Sequence, residues 1–262
     1  MAIKKGKTLA LFSAKGGVGK TITTLNLAGI YSKHEKKVLI IDADLAGGGI
    51  SVALNTGNNN DLHTLVQDLG KNKYLKLADY IAKYNDHIHL IAAPKDPRQA
   101  TKIDAKYIDL IIERAANEYD VVLIDTNHYL NDLNLLILDK VDSILFFATN
   151  DPLNLKNLRS LINIFDEIGV KKYKVLLNNS VNPYNDYYNL YDIRSILNAN
   201  IDYTLSPKFF IKNIEYLLIK GRIITLEKRI STIFAKDYKT LFTIAKDLIE
   251  PKITKVGENN EQ

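Results

Sequence analysis

The stretch Lys7-Thr8-Leu9-Ala10-Leu11-Phe12-Ser13-Ala14-Lys15-Gly16-Gly17-Val18-Gly19-Lys20-Thr21-Ile22-Thr23-Thr24-Leu25 decides the fold. An apolar run, a glycine-rich turn and the start of a segment with helical periodicity follow one another, which reads as strand, turn and helix. Glycine adopts positive φ and has no side chain to block an approaching anion, so such a turn lets consecutive backbone N–H groups converge on one point. The helix that follows adds its unpaired amides and its dipole, completing a phosphate cradle. Gly16, Gly17, Val18, Gly19, Lys20, Thr21 and Ile22 are therefore the candidate nucleotide contacts. Lys20 is suited to bridge β- and γ-phosphates, and the Thr21 hydroxyl to ligate Mg²⁺. The generic pattern wants glycine at position 14, where this chain has Ala14; every other position fits.

Outward from that turn, short aliphatic runs alternate with longer stretches whose apolar residues recur at three and four, the mark of βαβ units. Strands are expected at 8–13, 37–41, 88–92, 120–124, 143–148, 173–177 and 202–205. Several are nearly continuous hydrophobic runs, as strands buried on both faces must be. Helices are expected at 21–33, 103–117, 154–168, 211–219 and 230–249. In the last of these Ile230, Ile233, Phe234, Leu241, Ala245, Leu248 and Ile249 can line one face. Residues 57–60 and 184–191 read as exposed loops. No Pro- or Gly-rich linker and no internal repeat interrupts the rhythm. The expected architecture is α/β: a single P-loop domain over 1–250, with a mostly parallel twisted sheet of about seven strands flanked by helices, and a polar, disordered tail over 251–262.

The composition narrows the chemistry. With 262 residues, 46% of them hydrophobic and 25% charged, the chain can bury one large core. It has no apolar run of membrane-spanning length and no signal-peptide pattern at its start, so the cytoplasm is the expected compartment. Zero cysteines exclude disulfides, thiolate metal sites and cysteine nucleophiles, and five scattered histidines offer no HExxH spacing. The net charge of +5 is weak evidence for nucleic-acid binding, because the chain is rich in lysine and asparagine throughout. More specific is the window 206–229, with six cations, Lys208, Lys212, Lys220, Arg222, Lys228 and Arg229, against two acids, Glu215 and Glu227.

Lys15-Gly16-Gly17-Val18-Gly19-Lys20-Thr21 resembles the deviant Walker A motif of the ParA/MinD ATPases, in which an extra lysine precedes the two glycines. Val38-Leu39-Ile40-Ile41-Asp42-Ala43-Asp44 and Tyr119-Asp120-Val121-Val122-Leu123-Ile124-Asp125-Thr126 extend the resemblance. It implies ATP and Mg²⁺ as ligands and an ATP-dependent homodimer. In that dimer Lys15 reaches the partner's nucleotide, in the manner of an arginine finger. It further implies that Asp44 orients the attacking water, and that Asp42 and Asp125, with Thr21, hold the Mg²⁺ shell. An aspartate after a strand can also cap a helix, and this alternative stays open for Asp42 and Asp125. By the same resemblance Asn178 would hydrogen-bond adenine, and Pro207 would lie in the loop packed near the base.

Two loops depart from the partition pattern. Asp44-Leu45-Ala46-Gly47-Gly48-Gly49-Ile50 lacks Pro-Gln-Gly-Asn and looks more like the MinD branch and its pilus-positioning, TadZ-like relatives. Asp125-Thr126 is followed by Asn127-His128 instead of proline. His128, alone in a loop, reads as a surface residue in preference to a general base. The implied function is an ATP-hydrolysing dimerisation switch that positions cargo and works with a protein activator or cargo adaptor. Its hydrolysis would be slow until that activator acts. Nonspecific DNA binding through Lys208, Lys212, Lys220 and Arg222, as in a partition ATPase, is the first rival; a solvated face is the plainer reading of that window. A P-loop ligase and a non-hydrolysing scaffold are the others. Residues 251–262 hold too little apolar area to anchor a membrane helix.

Overall fold

The computed structural model describes residues 5–184, 186–209 and 220–250. Its strands are β1 (Lys7–Phe12), β2 (Val38–Ala43), β3 (Ala82–Lys83), β4 (Ile88–Ile91), β5 (Val121–Thr126), β6 (Ser143–Ala148), β7 (Tyr173–Asn178) and β8 (Tyr203–Leu205). They form one sheet in the order β3-β4-β2-β5-β1-β6-β7-β8, parallel throughout except for β3 against β4. All seven strands read from the sequence are present. The eighth, β3, is a two-residue edge strand, too short to carry a period-2 signal.

Helices cover both faces: α1 (Lys20–Lys33), α2 (Ile50–Ala53), α3 (Leu62–Gly70), α4 (Lys106–Glu118), α5 (Asp132–Lys140), α6 (Pro152–Glu167), α7 (Leu190–Leu197), α8 (Ile230–Ile233) and α9 (Ala235–Ile249). Two apolar cores result, one on each side of the sheet. Side chains of α3 to α7 pack on one face, and those of α1, α2 and α9 pack on the other. The strands are buried on both sides, which is why their sequences run apolar without alternation.

Three expectations need correction. The helix read over 230–249 is two helices, because the backbone at Phe234 leaves helical geometry (φ −116°, ψ 43°). The Phe234 ring packs edge-to-face on Phe209 instead, at 5.3 Å, and Ile233 is left solvent-exposed. The helix read from 103 begins at Lys106, after a 3₁₀ turn over Pro97–Lys102. The loop read over 184–191 already contains the start of α7, capped by Asn189, whose Oδ1 accepts from the Asp192 N–H while its own N–H donates to the Asp192 carboxylate. The helix read over 211–219 and the tail over 251–262 lie outside the described residues. No described helix is long and apolar enough to cross a membrane.

The order of connections places the site. Strand β1 sits between β5 and β6, with the early strands on one side and the late strands on the other. In such sheets ligands bind outside the carboxyl ends of the strands, at the point where the chain switches direction. That edge carries Ser13 after β1, Asp42 and Asp44 at the end of β2, Asp125 in β5, Asp151 after β6 and Asn178 at the end of β7.

Candidate nucleotide site

The turn between β1 and α1 is built by backbone conformations that favour glycine. Gly17 and Gly19 have φ of +72° and +90°. A Cβ on Gly19 would also lie 2.6 Å from Asn178 Nδ2, so any side chain there would push the loop off its support. Asn178 Nδ2 donates to the Val18 carbonyl at 3.0 Å and holds the turn from below.

Lys20 is buried inside this cradle, its Nζ donating to Ser13 Oγ at 2.8 Å. Ser13 Oγ in turn donates to the Lys15 carbonyl at 2.6 Å. Burial lowers the Lys20 ammonium pKa, against the opposing charges of Asp125 and Asp44. A cation in that position, with amides around it and few neutralising partners, is suited to an anion.

The carboxylates face the head of α1. Thr21 Oγ1 donates to Asp125 Oδ2 at 2.6 Å, and Thr24 Oγ1 to Asp125 Oδ1 at 3.3 Å. Asp42 and Asp125 are paired across β2 and β5 and fully buried. Burial pushes Asp125 up to about 6, opposed by the Thr21 bond and by Lys20. Burial, followed by the charge of Asp125, pushes Asp42 well above the usual carboxylate range. Asp42 is also spoken for by the backbone. Its Oδ2 accepts from the N–H of Ile50 at 3.2 Å and its Oδ1 from that of Asp44 at 3.3 Å, so it ties down the first turn of α2. Asp42 is not itself the cap of that helix, whose N-cap is Gly49. Asp44 is half-buried, accepts from Gly47 N–H at 3.2 Å, and lines the cavity.

That cavity encloses about 420 Å³ and is lined by the glycine turn, Lys20, Thr21, Ile22, Asp44, Asn178 and the apolar Val181, Leu205, Phe209 and Leu241. The glycine-shaped hole, the amide-rich turn with its lysine, and a hydroxyl beside two carboxylates fit a nucleotide polyphosphate with Mg²⁺. Thr21 and Asp125 would hold the metal shell, with Asp42 behind them.

Lys15 does not enter this cavity. Its ammonium turns outward to Asp151 Oδ2 at 2.8 Å, and that bond, followed by the Asn154 N–H, lowers the Asp151 pKa. Asp151 is simultaneously the N-cap of α6, with Pro152 in the first turn. Asp151 is absent from the sequence-based candidates, although Asp-Pro is a legible helix start at the strand edge where the other carboxylates emerge. His128 is half-buried against Gly16 and lines the cavity, which corrects its reading as a surface side chain. Pro207 opens the 3₁₀ turn Pro207–Phe209 and lines a neighbouring cavity with Asn179 and Tyr188; the nucleotide cavity receives Phe209 in its place. In the basic window Arg222 is bound by Glu227 at 2.8 and 2.5 Å, Lys208 and Lys220 are exposed, and Lys212 lies outside the described residues.

The buried Asp125 has a pH signature. Its folded pKa, about 6, exceeds the ordinary 3.8, so the native state holds this proton more tightly. The resulting stability is full below the unfolded pKa and is lost as pH rises through about 6. Asp125→Asn removes the penalty. Without nucleotide and in EDTA the variant should match wild type near pH 4 and exceed it at pH 7 by an amount on the order of 3 kcal/mol, read by urea unfolding.

The fold and site together define a P-loop nucleotide-binding protein. A family model described as an AAA domain matches residues 6–181. The chain belongs to the ParA/MinD family of P-loop ATPases. It is 26% identical over 206 residues to the chromosome-partitioning ATPase Soj of Thermus thermophilus, covering 78% of each chain. It is 28% identical over 196 residues to the tyrosine-protein kinase wzc of Salmonella typhi, covering 73% of this chain but only 27% of that one. The chain thus matches about a quarter of the length of the wzc kinases. The fold is also that of the septum site-determining protein MinD of Pyrococcus horikoshii complexed with Mg-ADP. That structure has a TM-score of 0.73 at 18% identity, with 93% of this chain and 96% of that chain covered.

Proposed function

We propose that this chain is an ATP-driven dimerisation switch: each copy binds Mg-ATP, two copies close face to face, and hydrolysis reopens the pair. The observation that carries this reading is the division of labour between the two loop lysines. Lys20 is buried in its own cradle, whereas Lys15 sits at the rim, 2.8 Å from Asp151 and turned away from that cradle. A cation so placed can serve a second copy's phosphates once it leaves Asp151. Asp44, on the cavity wall, would orient the attacking water, and Asn178 would contact the base beside Val181 and Phe209.

Binding energy from the γ-phosphate would thereby create a surface that exists only in the ATP state. The segment from Asp44 to Ile50 supports a place nearer MinD and the TadZ-like positioning proteins than the plasmid-partition branch, and hence a protein complex as cargo. Sedimentation with Mg-ATP and with Mg-ADP tests the switch: a dimer is expected only with ATP, and a monomer in both would sink the reading. A gel shift with duplex DNA at two salt concentrations tests the cargo. Partition predicts ATP-dependent binding that fades steeply with salt; positioning predicts none.

A second reading comes from the wzc kinases together with three exposed tyrosines, Tyr184 and Tyr187 on the loop before α7 and Tyr191 in its first turn. Transfer of phosphate to these hydroxyls would appear as phosphotyrosine after incubation with Mg-ATP, and its absence by mass spectrometry would dismiss this reading.

A further inference from the structure

Ser180 lies on the cavity wall among the apolar groups against which a flat base would pack. Its contacts fix the chemistry of Asn178 completely. Asn178 Oδ1 accepts from both the N–H (3.1 Å) and the hydroxyl (2.6 Å) of Ser180, while Nδ2 donates to the Val18 carbonyl. A carbonyl can only accept and an N–H can only donate, so these partners admit one orientation of the amide. Both lone pairs of Oδ1 are used, and Asn178 is left with a single N–H to offer. While the Ser180 hydroxyl gives its one hydrogen to Asn178, its oxygen is left to accept.

Side by side, the two residues therefore present one donor and one acceptor. Adenine carries the complement, the N7 acceptor beside the N6 amino donor; guanine carries two acceptors, N7 and O6. We propose that Ser180 is the residue that selects adenine over guanine. Asn178, which the family resemblance would place on the base, reads only what the two purines share and otherwise braces the glycine turn. This inference rests on the nucleotide-binding reading of the cavity.

Competition binding of ATP, GTP and ITP tests it. ITP carries the O6 of guanine without its 2-amino group, and so isolates the edge in question. Wild type should prefer ATP over both by about tenfold or more, the scale of one well-made base-edge contact. Ser180→Ala keeps the backbone N–H on Asn178 and should collapse the ATP:GTP and ATP:ITP ratios toward one. Ser180→Thr, which retains the hydroxyl, should restore them. Equal weakening of all three ligands in Ser180→Ala, or unchanged ratios, would show that Ser180 only braces Asn178, and would overturn the proposal. Wild type that binds the three equally would overturn it as well. Wild type that binds none would instead refute the nucleotide reading beneath it.

Discussion

Lys15→Ala is expected to leave ATP affinity within about twofold of wild type while lowering turnover about 10³-fold or more, the scale of a cation supplied in trans to a transferring phosphoryl group. Affinity is spared because the Lys15 ammonium is not among the groups lining the cavity; it is held outside by Asp151. The cost in stability should be below about 1 kcal/mol, since the pair is partly exposed and Asp151 keeps its bond to the N–H of Asn154. Asp44→Ala should behave alike in binding and turnover for a different reason, as its carboxylate faces the cavity and, among the described residues, accepts its hydrogen bond from the N–H of Gly47. Titration calorimetry and a phosphate-release assay on the same preparations separate the two quantities. A Lys15→Ala variant with normal turnover would remove the trans role.

Lys20→Ala should have the opposite profile. Its ammonium is the buried cation of the cradle, and losing a desolvated charge from a polyphosphate site weakens binding by about 3 kcal/mol or more, at least about 100-fold. The nucleotide-free protein should not suffer equally. Burial lowers the pKa of this ammonium, so in the absence of an anion the charge is held at a cost, and alanine relieves it. The expected result is a variant with normal or raised thermal stability that titrates no ATP. Unchanged affinity by calorimetry would contradict the assignment of the cradle.

What the sequence disclosed and what it hid follow physical lines. The glycine turn, Lys20 and Thr21 were legible because their chemistry is local: backbone conformation, helix terminus and side chain all lie within one short stretch. The buried strands were legible because two-sided burial leaves continuous apolar runs. Helices α3, α5 and α7 went unread because each is only eight or nine residues long, with two turns of periodicity. The break at Phe234 depends on a distant partner, Phe209, and no local signal announces it. Contacts across the site were hidden for the same reason. Asp151 meets Lys15 from 136 positions away, and Asn178 supports Val18 from 160. Asp42 shows the limit most clearly: its place at the end of β2 could be read, but its two backbone donors could not.

The most direct test mixes two inactive variants. In an equimolar mixture of Lys15→Ala and Asp44→Ala, random pairing makes half of the dimers mixed, and each mixed dimer holds one site with its own Asp44 and the other copy's Lys15. Recovery of about a quarter of wild-type turnover is predicted for a two-fold symmetric dimer with Lys15 acting across it. A mixture as inactive as its components, although both bind ATP and pair, would place Lys15 and Asp44 in service of the same copy's nucleotide and contradict the account.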